Sequence, residues 1–298
     1  MEDYERLEML EYPKGRIDIV IDTDAATEVD DPFAIAYVML SPERFAVRGI
    51  YAAPFAMNER ASDPRTGMEM SYEEIRRILS MCRTECEIYK GCSRFGLNQK
   101  APACEHLVQL AENYDREHPL YVLALGASTN IANAITQHPE ICGKIVVVWL
   151  AGNDFEDSPD VYNIYQDAEA ARAVFDSGVP LVHVPCSPVT SHLITSIPEL
   201  EHCIGGKNRL CEYLLRIVKE YASEPFGWGK QIWDVGAAAY LVKEEYTECE
   251  ITTAPVITAE LRWGRDYRRH LIKNVKAVKR DAIFRDLFYR LGTVREDI

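Results

Sequence analysis

The stretch from Ile19 to Leu40, IVIDTDAATEVDDPFAIAYVML, packs four aspartates and one glutamate into residues 22–31, between a strand-like apolar run and a helix-like one. The run RIDIVID (16–22) predicts a buried strand. After the acids, DPFAIAYVML predicts a helix with Asp31 at its N-cap and Pro32 at the first helical position, where proline's missing N–H breaks no hydrogen bond. A strand feeding a helix through a polar loop is the repeating unit of an α/β fold. The rest of the chain repeats it. FAVRGIYAA (45–53) reads as the next strand, and SYEEIRRILSMC as a helix opened by the capping-box pair Ser71 and Glu74. CEIYKG, LYVLALG (120–126), KIVVVWLAG (144–152) and PLVHVP (180–185) read as further strands, separated by the helices ACEHLVQLAENY, STNIANAITQ and DAEAARAVFDSG. Continuous β-branched runs of this kind are buried on both faces, so the expected fold is α/β, with a mostly parallel, Rossmann-like central sheet flanked by helices. The last third reads as more helical (NRLCEYLLRIVKEYA, QIWDVGAAAYLVKEE, RDAIFRDLFYRL), with surface loops at 155–161 and 222–232. No repeat or low-complexity linker divides the 298 residues, so a single domain, 1–298, is expected.

Hydrophobic residues make up 47% and charged residues 27%, the balance of a globular protein rather than a disordered or fibrous one. Acidic residues outnumber basic ones 47 to 33, for a formal charge of -14. That field repels phosphate backbones and anionic lipid headgroups, which makes nucleic acid and membrane poor partners. The opening lacks a basic segment followed by an apolar one, and no apolar run reaches the ~18 residues of a membrane-spanning helix, so a cytoplasmic location is expected. Nine scattered cysteines predict reduced, mostly buried thiols rather than a disulfide framework. Cys82 and Cys86 are a weak basis for a zinc site, because no histidine pair follows at the usual distance.

In a parallel α/β sheet, ligands bind beyond the carboxyl ends of the strands, where Asp22, Asp24, Asp30 and Asp31 should fall. Carboxylates held within a few ångströms must protonate, find hydrogen-bond donors or surround a cation. Oxygen-only ligands, with no histidine or cysteine in the stretch, favour calcium or magnesium over zinc. The plainer alternative is one helix cap and several solvated loop acids; the density of acids weighs against it.

Asp22-Thr23-Asp24, followed by Asp30-Asp31 at the head of a helix, resembles the signature of the nucleoside hydrolases, the calcium-dependent N-ribohydrolases. LALGASTNIANAI (123–135), VYNIYQDAEAARAVF (161–175) and WDVGAAAYL (233–241) resemble three further segments of that family in the same order, so the resemblance spans residues 16 to 292. It implies an enzyme that cleaves the N-glycosidic bond of a ribonucleoside or related ribosyl compound to free base and ribose, with bound Ca2+ and a homodimeric or homotetrameric assembly. Carried over position by position, it implies metal ligation by Asp24, Asp31, Asp234 and the backbone carbonyl of Leu125. Asp24 would be the general base, and Asp30, Asn163, Trp233 and Asp234 would contact the substrate. Plainer readings stand beside these: Leu125 as core, Asp234 as a helix cap, Asn163 as a turn residue. Carboxylates suit the implied chemistry, because breaking the bond builds positive charge on the ribosyl ring.

Departures from the family pattern are equally specific. The loop between the aspartate pairs is two residues longer, with AATEV in place of Pro-Gly-x, so Glu28 is either one more carboxylate of the site or a solvated loop acid. The Gly-Asn expected after the second strand is missing, leaving Asn58, Glu59 or Arg60 as replacements or as ordinary surface residues. The ribose-contacting glutamate is Val161, and the histidine that protonates the departing base in many members is Trp233. Tryptophan can stack on a base but cannot give it a proton; Lys230 and His192 are the candidate replacements. Two rival readings follow: a phosphohydrolase with Asp22 as nucleophile and Asp24 as acid, and a calcium-dependent ribosyl-binding protein with little or no hydrolase activity.

Overall fold

The computed structural model describes residues 1–294. Six parallel strands make up most of one sheet: β1 (Ile17–Thr23), β2 (Phe45–Ala52), β3 (Ile88–Lys90), β4 (Leu120–Ala124), β5 (Ile145–Leu150) and β6 (Leu181–Val184). Strand Leu271–Val278 adds to β6 in parallel, and Thr247–Thr253 pairs antiparallel at the edge, giving an 8-stranded sheet. The mostly parallel sheet read from the sequence is present, with helices on both faces. Its spatial order begins β3-β2-β1-β4-β5-β6, so the chain builds outward from β1 in one direction and then, from β4, in the other. That reversal opens a crevice between the carboxyl ends of β1 and β4. Asp24 leaves β1 there and Leu125 leaves β4, with Asp22 in register with Ala124.

Every residue of β5 is buried, which is why its sequence IVVVWL is apolar without alternation. One core cluster, including Phe33, Ile35, Ile75 and Leu241, packs on one face; the other, including Val122, Ile131, Trp149 and Phe175, packs on the opposite face. Burial of each such side chain stabilises by roughly 1.5–3 kcal/mol. The fold can therefore hold a set of charges that would be unfavourable alone.

Some boundaries differ from expectation. Asp30, not Asp31, occupies the N-cap of helix Asp31–Met39, and its φ of -91 and ψ of -36 are already helical, so its side chain makes no capping bond. Its carboxylate is left to face the crevice. The helix expected to open at Ser71 begins at Pro64, where Asp63 accepts a bond from the Thr66 N–H (3.1 Å); Ser71 lies inside the helix and donates to the Gly67 carbonyl. The Asp63-Pro64 pair was the better start signal. Strands Thr247–Thr253 and Leu271–Val278 were not expected, because the first is an edge strand with mostly exposed side chains and the second interleaves lysines with its apolar positions. The 222–232 loop carries a short strand, Lys230–Gln231, paired with Ile194–Thr195. All nine cysteines are free and only Cys249 is exposed; no helix of the described residues is long and apolar enough to cross a membrane.

Candidate active site

Asp24, Asp30, Asp31 and Asp234 converge on one cavity of about 240 Å³ at the crevice, and all four are buried. Two helices place them. Asp31 opens helix Asp31–Met39 and Asp234 opens helix Asp234–Val242, so both carboxylates sit in first turns, where the helix dipole favours negative charge. The Thr23 hydroxyl donates to Asp31 Oδ1 (2.5 Å) and the Thr27 hydroxyl to Asp24 Oδ2 (3.0 Å). These donors are too few. Burial, and then the charge of neighbouring aspartates, pushes Asp24, Asp31 and Asp234 well above the usual carboxylate range. Burial also raises Asp30, although Lys230 works against the shift.

Carboxylate oxygens of Asp30, Asp31 and Asp234 lie within 4.8 Å of one another. A buried all-oxygen donor set whose mutual repulsion is only partly relieved by its few donors and Lys230 fits a hard divalent cation. The group differs slightly from the expected one: Asp30 stands in the closest cluster, and Asp24 lines the same cavity beside it. Leu125 and Asn163, expected to serve metal and sugar separately, are joined. The Asn163 amide donates to the Leu125 carbonyl (2.5 Å) and to the Leu150 carbonyl (3.0 Å), which leaves Asn163 Oδ1 for a ligand. The Leu125 side chain belongs to the core, and the residue also lines the cavity.

Trp233 and Val161 line the cavity, as does Glu28, so the longer loop does bring in one more carboxylate. Lys230 holds Glu28 through a 2.5 Å ion pair and stacks over the Tyr221 ring. Burial opposes its charge, but Asp30 and Glu28 outweigh burial and raise Lys230 above the usual lysine value, which makes it a reluctant acid. His192 is exposed and does not line the cavity. Asn58 donates to the Tyr162 hydroxyl (2.9 Å) and Arg60 to the Ala26 carbonyl (2.8 Å); they brace the loops rather than enter the cavity, and Glu59 is exposed. Asp22 is buried in β1, accepts from the Asn130 amide (2.7 Å) and does not line the cavity. A phosphohydrolase would have no accessible nucleophile there. Sequence reading missed Thr27, Asn153, Tyr162 and Cys186, all of which line the cavity; only Tyr162, beside Asn163, carried a positional hint. A larger groove of about 710 Å³ shares Glu28 with the acid cavity, but its Arg77 and Arg216 are paired with Glu74 and Glu220, and it holds none of the four aspartates.

Gly126, two residues past β4, lets the chain run close to Asp24. A Cβ at that position would lie 2.8 Å from Asp24 Oδ1, closer than real Cβ contacts allow. Gly126→Ala should therefore displace the carboxylate while leaving the core intact. A shift near 1 Å in a reacting group costs on the order of 10²-fold in rate, so we expect a tenfold to hundredfold loss at a melting temperature close to wild type. Equal activity in the variant would remove Asp24 from the reacting centre.

Comparison with known proteins identifies the family. The family model described as inosine-uridine preferring nucleoside hydrolase matches residues 19–285. The chain belongs to that family. It is 29% identical over 149 residues to the pyrimidine-specific ribonucleoside hydrolase RihB of Escherichia coli, an alignment that covers 45% of this chain and 47% of the relative. The aligned part thus spans about half the length of that curated relative. The fold is similar to that of the plant nucleoside hydrolase PpNRh1 (TM-score 0.76, 19% identity, 93% of this chain and 99% of the other). It is also similar to that of the purine-preferring ribonucleoside hydrolase from Gardnerella vaginalis (TM-score 0.74, 20% identity, 93% and 98%).

Proposed function

We propose that this protein, acting as one domain over residues 1–298, is a metal-dependent hydrolase that cleaves the N-glycosidic bond of a ribonucleoside or related ribosyl compound, giving free base and ribose. The observation that carries this reading is the meeting of Asp24, Asp30, Asp31 and Asp234 in one cavity at the β1/β4 crevice. Asp24, Asp31, Asp234 and the Leu125 carbonyl would hold a calcium ion, with Asp30 close enough to share it. When bound, the ion would lower the pKa of a water and fix sugar hydroxyls. Thr27 donates to Asp24 Oδ2, so Asp24 Oδ1 would take the proton of the attacking water. Asp30 and Asn163 Oδ1 would orient ribose hydroxyls. As C1′ loses the base, positive charge grows on the ring among these carboxylates, which stabilise it more than they stabilise the neutral substrate. A dimer or tetramer in the cytoplasm is part of this reading. Incubation with a panel of ribonucleosides and p-nitrophenyl riboside tests it: ribose and free leaving group should appear in equal amounts. Tight binding of ribosides without turnover would favour the ribosyl-binding rival instead.

A further inference from the structure

Apart from the aspartates assigned to the ion and the water, the acid cavity offers a departing base only poor proton donors: the Cys186 thiol lines it, but burial pushes that thiol up and makes it a weak acid. Among the described residues that line it there is no histidine, lysine or arginine. The Tyr162 hydroxyl donates to the Ala56 carbonyl (2.8 Å), so its proton is engaged. The nearest ammonium, that of Lys230, donates to Glu28 and to the Gln231 carbonyl and does not line the cavity. His192 lies outside. A neutral purine or pyrimidine would therefore have to leave as an anion, into a cavity faced by Glu28 and four aspartates. Like-charge repulsion opposes that departure.

We propose that the leaving group this site is built for is a cationic N-heterocycle, such as an N-alkylated purinium or a pyridinium carried on ribose. This inference rests on the ribohydrolase reading above. The bond chemistry balances without an acid: the C1′–N bond breaks with both electrons passing to nitrogen, which becomes neutral, while water oxygen bonds C1′ and the water's proton passes to Asp24 and then to solvent. Positive charge moves from heterocycle to ribosyl ring and stays within the same negative field. In a neutral nucleoside the same cleavage must separate charge. Trp233 adds a second attraction, because a half-buried indole on the cavity wall can take a flat cation against its face. Glu28, anchored by Lys230 and still 38% exposed, supplies a carboxylate at the rim shared with the larger groove.

The experiment compares 7-methylguanosine with guanosine as substrates, and 7,9-dimethylguaninium with 9-methylguanine as uncleavable competitors, using the calcium-loaded enzyme and p-nitrophenyl riboside as the reporter reaction. Supplying a proton to a leaving group is worth about 10²–10⁴-fold, so kcat/KM should favour the cationic substrate by at least about 10²-fold. The cationic competitor should bind about tenfold more tightly than the neutral one, and Trp233→Leu should shrink that ratio of inhibition constants toward one. If p-nitrophenyl riboside is cleaved but 7-methylguanosine is turned over no faster than guanosine, or the two competitors bind alike, the inference is overturned and the ribohydrolase reading survives. If p-nitrophenyl riboside is not cleaved either, the ribohydrolase reading falls and takes the inference with it.

Discussion

Asp31→Asn should lose calcium affinity by about a hundredfold to a few thousandfold, and ribosyl hydrolysis with it. The estimate follows from removing one charged member of a buried, interdependent set, which costs roughly 3–5 kcal/mol, at 1.4 kcal/mol per factor of ten. The ion-free protein should respond in the opposite direction. Without a cation, Asp31 is a buried carboxylate whose charge is opposed by burial and by Asp30, so replacing it with a neutral amide relieves repulsion. The ion-free variant should therefore melt at or above the temperature of ion-free wild type. Calcium at about a hundred times its Kd adds about 2.7 kcal/mol to wild-type stability, a rise of roughly 4 °C, and that rise should vanish in the variant. Thermal melts with and without calcium, together with calcium titration calorimetry, separate lost ligation from simple misfolding. A variant that binds calcium like wild type would remove Asp31 from the ion's ligands.

The second large effect concerns the leaving group. With Trp233 on the cavity wall and no histidine, lysine or arginine among the described residues that line it, wild type should cleave p-nitrophenyl riboside at least about 10²-fold better than inosine or uridine, since the nitrophenolate departs without protonation. Trp233→His restores an imidazole at the N-cap of helix Asp234–Val242, next to Asp234, and should narrow the gap by raising the rate on inosine. His192→Ala should leave the ratio alone, because His192 is exposed and outside the cavity. The ratio of kcat/KM values decides the matter. Inosine cleaved as readily as the activated riboside, with no change in Trp233→His, would mean that the proton arrives by another route.

What the sequence could convey follows the range over which each interaction acts. The β1–loop–helix unit was legible in Ile19–Leu40 because strand, acids and helix are contiguous, and the parallel sheet because β-branched runs are local signals. Asp24 and Asp31 could be placed near a site because they lie between a strand end and a helix start, whereas Asp234 was named from the resemblance of WDVGAAAYL to the family segment. The N-cap was misplaced by one residue, since the backbone of Asp30, rather than its side-chain type, decides whether it caps. Other features depend on residues brought together only by the fold. The bond between Asn163 and the Leu125 carbonyl spans 38 residues, and the Lys230–Glu28 pair spans 202. Neither has a local signature. Glu28 read more readily as a solvated loop acid than as a site carboxylate, whereas Lys230 holds it at the cavity. Edge strand Thr247–Thr253 was invisible for a different reason: its exposed, polar side chains give no apolar face to recognise.

The most direct measurement is ribose release from p-nitrophenyl riboside by protein stripped with a chelator, then assayed before and after calcium is restored. The account predicts no release above background from the stripped protein, and release of ribose and p-nitrophenol in equal amounts once calcium is added. Full activity in the stripped protein would contradict the metal's role, and no release at saturating calcium would contradict the N-ribosyl chemistry itself.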